Sequence, residues 1–205
     1  MKKPISFLVA MAFAAWPLTA VPQQAKKGEK AEQAATKGGL SQQDMRRFTS
    51  IAQANLAEIE CGKLALDKAK SPEVKDFAKH MVEDHGRMLE ENKQMADKKG
   101  AKMPETPNKE QQAAKAKLEK MSGEDFDRAY ANQMVQDHQK ALKLVQDTAK
   151  NAKDAELKGA AQKAAPQVEK HLQMAKGLAA AGAGSSAKGT GHSKGDHKAQ
   201  GEPKK

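Results

Sequence analysis

The segment MVEDH at 81–85 returns as MVQDH at 134–138, so an Asp-His pair occurs twice inside a helical apolar pattern. A third histidine, His171, lies in PQVEKHLQMA at 166–175, and Glu58 interrupts an apolar stripe further upstream. Imidazole and carboxylate together suit zinc, iron, manganese or copper. The residue types therefore point to one transition metal (iron, copper or zinc) held by Glu58, His85, His138 and His171, with Asp84 and Asp137 as outer hydrogen-bond partners or alternative ligands. The competing expectation is a polar layer without metal. A buried imidazole needs a partner, a neighbouring carboxylate supplies one, and such a layer sets helix register. Methionines flank the same residues: Met81 and Met88 around His85, Met134 before His138, Met174 after His171. Thioethers with imidazoles favour copper(I), whereas methionine also fills gaps in a core poor in aromatic residues.

These residues must be positioned by helices. Ser41 caps a first long helix running to about residue 69, with Asp44 in its first turn and an apolar stripe of Phe48, Ile51, Asn55, Ile59, Gly62 and Leu66. Ser71-Pro72-Glu73 starts a second, which Gly100 ends. The segment 100–109, with Pro104 and Pro107, is the longest interruption, followed by a short helical piece at about 110–121. Ser122, with acids at 124 and 125, begins a third long helix to about residue 151, and Asp154 caps a fourth that carries Leu157, Ala161, Val168, His171 and Leu172 inward. No segment reads as a strand. The expected fold is all-α: an antiparallel four-helix bundle of ferritin-like topology over 41–180, its crossover between the second and third long helices.

Height along the bundle links the candidate residues. Glu58 precedes Ser71 by 13 residues and His85 follows it by 14, so in a hairpin both stand about 20 Å from the turn at about 1.5 Å per residue. His138 and His171 lie at similar distances, within about one helical turn of each other, from a turn near Lys153. Each long helix is thus expected to bring one metal-capable group to the middle of the bundle.

The motifs NLAEIECGKLAL at 55–66, SPEVKDFAKHMVEDH at 71–85, FDRAYANQMVQDHQKAL at 126–142 and PQVEKHLQMA at 166–175 occur in an order that resembles a large family of exported bacterial proteins of unknown function, often labelled predicted outer-membrane proteins. The resemblance covers about residues 44–178 and implies a ferritin-like bundle and export rather than any one activity. No Glu-x-x-His occurs in the chain, since Val82, Val135 and Val168 stand three residues before His85, His138 and His171. Di-iron ferritin-like sites use that motif on two helices, so a ferroxidase centre is not expected.

The ends set the compartment. Lys2 and Lys3, the apolar run 5–15 and the small residues near Ala20 read as a signal peptide over 1–20, cleaved after Ala20 or, alternatively, after Ala25. The mature chain is expected to have no transmembrane segment. Residues 21–40 read as a flexible linker and 181–205, with His192 and His197, as a disordered basic tail. The net charge of +10 is mostly terminal, because 41–180 holds 25 Lys and Arg against 22 Asp and Glu. Neither end carries base-stacking aromatics, so the expected partner is an envelope component or polyanion met through the basic ends, not nucleic acid. Cys61, the sole cysteine, has no internal disulfide partner and reads as a small buried residue. No nucleophile elbow or glycine-rich phosphate loop occurs. The function expected is an exported binding or interaction protein, stress-related, with a central metal site. The alternatives are a metal-dependent iron or copper oxidoreductase and a histidine-based pH sensor.

Overall fold

The computed structural model describes residues 39–187, with side chains through 183. The signal-peptide and linker readings over 1–38 and the tail from 188, including His192 and His197, lie outside the described residues. Five helices and no strands occur among those described: α1 Gln42–Lys68, α2 Pro72–Lys99, α3 Lys109–Glu119, α4 Gly123–Asn151 and α5 Ala155–Ala187. No helix of them is long and apolar enough to cross a membrane.

Local chemistry sets most of the boundaries. The Ser41 and Ser71 hydroxyls accept the backbone N–H of Asp44 and Val74, capping α1 and α2. Gly100 closes α2 at φ +60, a left-handed conformation that glycine adopts at little cost. α3 begins with a capping box in which Asn108 and Gln111 satisfy each other's backbone N–H. Ser122 occupies the cap position of α4 but makes no side-chain cap bond, so that start rests on the helix's acids and on tertiary contacts. α5 continues to Ala187, past residue 180, where the apolar pattern fades.

Helices α1 and α2 form one hairpin and α4 and α5 another, with α1 against α4 and α2 against α5. Two buried carboxylates hold these hairpins together at opposite ends. Asp44 of α1 accepts the Lys153 and Asp154 N–H groups of the α4–α5 turn, each at 3.0 Å. Asp127 of α4 accepts the N–H groups of Lys70 at 3.1 Å and Ser71 at 2.8 Å in the α1–α2 turn. Each turn therefore docks on the first turns of a helix from the other hairpin. The long helices run up, down, down and up, and the segment carrying α3 makes the single crossover.

The apolar stripe of α1 is rotated from the sequence expectation. Its buried residues are Asp44, Phe48, Ala52, Asn55, Glu58, Cys61, Gly62 and Ala65, while Leu66 is 39% exposed. The reason is close approach of α2: a Cβ on Gly62 would lie 2.8 Å from Val82 Cγ2 and 3.2 Å from the Ala78 carbonyl oxygen. Small residues face the partner helix there and larger ones are turned aside.

Replacing Asp44 by Ala leaves two part-buried turn N–H groups without their acceptor and also removes one partner of Arg47; an unsatisfied donor costs about 1–3 kcal/mol where it is buried, less where water reaches it. Urea unfolding of Asp44→Ala is therefore expected to show a loss of about 2–4 kcal/mol, against little change for the exposed Asp67→Ala.

Candidate metal centre

Residues His85 on α2, His138 on α4 and His171 on α5 meet in the middle of the bundle, and all three are buried. Their ring centroids form a near-equilateral triangle, 5.6 Å for His85–His138, 5.2 Å for His85–His171 and 5.4 Å for His138–His171. One nitrogen of each ring faces an accepting oxygen, and for His171 the donor Gln167 Nε2 also stands 2.8 Å from the same Nε2. His85 Nδ1–H donates to Asn55 Oδ1 at 2.9 Å, and that amide's orientation is set by its Nδ2, which donates to Asn92 Oδ1 at 2.8 Å. His138 Nδ1–H donates to the Met134 carbonyl one turn back at 2.9 Å. His171 Nε2–H donates to Asp84 Oδ2 at 2.8 Å, an oxygen that also accepts from Gln167 Nε2 at 2.5 Å.

These bonds decide the tautomers and leave the other nitrogens bare. His85 Nε2, His138 Nε2 and His171 Nδ1 are buried without a hydrogen-bond partner. A buried polar atom without a partner requires an explanation, and one such atom on each of three clustered rings is a need that a shared metal ion would meet. One donor atom from each ring lies within 4.8 Å of the others. Imidazole nitrogens about 2.0–2.1 Å from a shared ion stand about 3.3–3.6 Å apart, so loading draws the rings inward by at most about an ångström or so.

The electrostatics keep these rings neutral. Burial pushes His85 well below its usual value, helped by His138 and His171 beside it. Burial lowers His138 to about 4, although its bond to the Met134 carbonyl opposes the shift. Burial also lowers His171, against the opposing bond and charge of Asp84. For Asp84, burial favours the neutral acid, but the His171 and Gln167 hydrogen bonds and the Arg87 charge outweigh it and hold the carboxyl below the usual range. Neutral imidazole is the ligand form.

Of the four candidate ligands, only the three histidines converge. Glu58 is buried, but its carboxylate stands behind His138, with Oε1 3.8 Å from Nδ1, and is not in the donor group. The one-residue match in height placed Glu58 opposite His85, whereas the α1 group that meets His85 is Asn55, one helical turn earlier. Burial, followed by the charge of Asp137, pushes Glu58 well above the usual carboxylate range. Asp84 Oδ2 pairs with His171 Nε2 at 2.8 Å, while Asp137 accepts from Gln133 Nε2 at 2.8 Å on its own helix. Met81 and Met134 are fully buried in the hydrophobic cluster with Phe77, Phe126 and Tyr130. Burial pushes the Cys61 thiol up to about 12, so it remains protonated. Sequence reasoning missed Asn55, Asn92 and Gln167 as partners. The available signals were a lone amide in an apolar stripe for Asn55, and a position one turn before His171 for Gln167.

A family model described as "Domain of unknown function (DUF4142)" matches residues 29–178, and the chain belongs to that family. No curated protein matches it in sequence. Among solved structures, the chain is similar to a DUF305 fragment from Deinococcus radiodurans, at 14% identity and a TM-score of 0.63, covering 70% of this chain and 99% of that one. It is also similar to CopM in the Cu(II)-bound form, at 18% identity and a TM-score of 0.57, covering 67% and 96%. For CopM in the Cu(I)-bound form the values are 19%, 0.54, 65% and 92%. At these identities the likeness is one of fold.

Stability should follow histidine protonation. His138 has a folded value of about 4 against an ordinary 6.5, so the unfolded chain takes up a proton first as pH falls. The contribution is complete above pH 6.5 and is lost down to about 4, amounting to about 3 kcal/mol. Glu58 acts in the opposite sense: its raised value favours the fold at low pH, and that advantage is lost as pH rises above its ordinary 4.5. In urea unfolding of metal-free protein between pH 6.5 and 4, His138→Gln is expected to flatten the fall in stability and Glu58→Gln to steepen it.

Proposed function

We propose that this member of the DUF4142 family is an exported copper-holding protein that binds one copper ion through His85 Nε2, His138 Nε2 and His171 Nδ1. The observation that carries the reading is a cluster of three buried imidazoles, each with one nitrogen lacking a hydrogen-bond partner, that offer donor atoms within 4.8 Å of one another. The donor set supports copper as the metal. Imidazole suits copper, zinc, iron and nickel, while iron and manganese sites commonly recruit carboxylate ligands that this group lacks. Three neutral ligands also bring no negative charge to offset the ion. Burying a monovalent ion costs less than burying a divalent one, which favours copper(I) over zinc(II). The solved CopM structures with bound Cu(II), Cu(I) and Ag support the choice, since a similar fold holds such ions there.

The apparent leader at 1–20 supports export, and the basic residues at both ends suit an anionic envelope surface. The role is binding rather than turnover. Asn55 and Asp84 orient His85 and His171, and outer partners of this kind are typically worth about 10–100-fold in metal affinity.

Protein from residue 21 onward, purified without a histidine tag, is expected to take up one Cu(I) or Ag(I) per chain in competition titrations. His85→Ala should abolish that binding. Asn55→Ala and Asp84→Asn should weaken it by about 10–100-fold, while Glu58→Ala should keep the stoichiometry. Equal copper content in wild type and His85→Ala would overturn the assignment.

A further inference from the structure

The Asn55 side chain on α1 spans two positions of one face of α2. Its Oδ1 lies 2.9 Å from His85 Nδ1, and its Nδ2 donates to Asn92 Oδ1 at 2.8 Å. His85 and Asn92 stand seven residues apart, about two turns and about 10 Å along the helix, so a single amide between them reaches both. All three side chains are buried. The two ends of an amide are alike in shape and opposite in hydrogen bonding, since the oxygen accepts and the nitrogen donates. Turned over, the Asn55 amide would present its N–H to His85 Nδ1, and the ring's proton would sit on Nε2. That exchange leaves the ring neutral but takes the Nε2 lone pair away from an ion. In the observed arrangement Nδ1 faces an acceptor and Nε2 has no hydrogen-bond partner.

Given the copper reading above, on which this rests, we infer that Asn92 is a positioning residue for the metal: by accepting the Asn55 N–H it holds that amide with its oxygen toward His85, and so keeps the His85 Nε2 lone pair free. The sign of its effect follows from what loss of the acceptor leaves behind. In Asn92→Leu the observed amide orientation keeps the His85 bond but strands the buried Asn55 N–H group. The turned-over orientation also keeps one bond, from Asn55 Nδ2 to His85 Nδ1, and strands only an oxygen. Buried N–H groups without a partner are rarer than buried carbonyl oxygens without one. The variant therefore turns the amide over, and apparent affinity falls in proportion to the share of rings that still have a free Nε2. Asn92→Asp has the same shape, and its ionised carboxylate only accepts, so it supports the observed orientation and opposes the reversed one.

The chain from residue 21 onward, with isotopically labelled histidine, is compared as wild type, Asn92→Leu and Asn92→Asp. Urea unfolding checks that each is folded, NMR of the metal-free protein distinguishes protonated from unprotonated ring nitrogens, and Ag(I) competition titration gives affinity. Wild type and Asn92→Asp are expected to carry the His85 proton on Nδ1 and to bind Ag(I) equally tightly. Asn92→Leu is expected to carry it mainly on Nε2 and to bind Ag(I) about tenfold more weakly, at the lower end of the range for outer partners of metal-bound histidine. If Asn92→Leu does not fold, Asn92→Ala takes its place with the same expectation. A folded variant without the acceptor that keeps the proton on Nδ1 overturns the inference and leaves the copper site standing, even if its affinity falls, because loss of affinity alone marks a structural role. Failure of Asn92→Asp to restore the wild-type tautomer and affinity also overturns it. A wild-type chain that takes up no Ag(I) removes both readings.

Discussion

A buried imidazole must remain neutral and must place at least one of its nitrogens against a partner, and the centre of this bundle is arranged around that requirement three times over. Each of the three rings gives its N–H to a different kind of acceptor: an amide oxygen, a backbone carbonyl and a carboxylate. Each ring is left with one nitrogen that has no hydrogen-bond partner, and the rings offer donor atoms within 4.8 Å of one another. The same desolvation that lowers the basicity of the rings preserves their lone pairs for a metal.

The triangle depends on register, and register depends on the ends. Asp44 and Asp127 each accept backbone N–H groups from the turn of the opposite hairpin, so the two hairpins cannot slide past each other without exposing unpaired donors in a buried place. Between these ends, Gly62 lets α1 approach α2 closely enough to bring Asn55 within reach of His85. The packed aromatic group of Phe77, Phe126 and Tyr130 closes one side, with the Phe77 ring 6.5 Å from His138. Water is thereby kept from that flank of the site.

Around the triangle, Asp84 keeps its carboxylate ionised against His171, whereas several more deeply buried groups are pushed toward their uncharged forms. Burial raises Glu58, Cys61 and Tyr130; the Asp137 charge adds to the shift of Glu58, and Glu58 adds to those of Cys61 and Tyr130. A deprotonated thiol or a clustered pair of carboxylates would draw zinc or iron. A neutral, all-imidazole interior favours an ion whose charge the protein can bury cheaply. The absence of Glu-x-x-His from the sequence agrees with this chemistry, since the di-iron pattern needs carboxylates in the first coordination sphere.

Helix type and most boundaries were legible in the sequence because caps, glycine stops and apolar periodicity act within a few residues: Ser41, Ser71 and Gly100 end helices by local hydrogen bonding and backbone freedom. The three histidines were legible as inward residues at matched heights, since rise per residue converts sequence distance into depth. What counting could not supply was rotation about each helix axis. Rotation of α1 places Leu66 at the surface, and a shift of nearly one turn along it makes Asn55 rather than Glu58 the partner of His85. That rotation is set by where two helices can approach, at Gly62 and Val82, and by carboxylates reaching turns more than fifty residues away. The sequence by itself therefore determined four long helices and a polar level at their middle. Only the tertiary structure decided which ring nitrogens are left without a partner, because that depends on hydrogen-bond partners that no local pattern specifies.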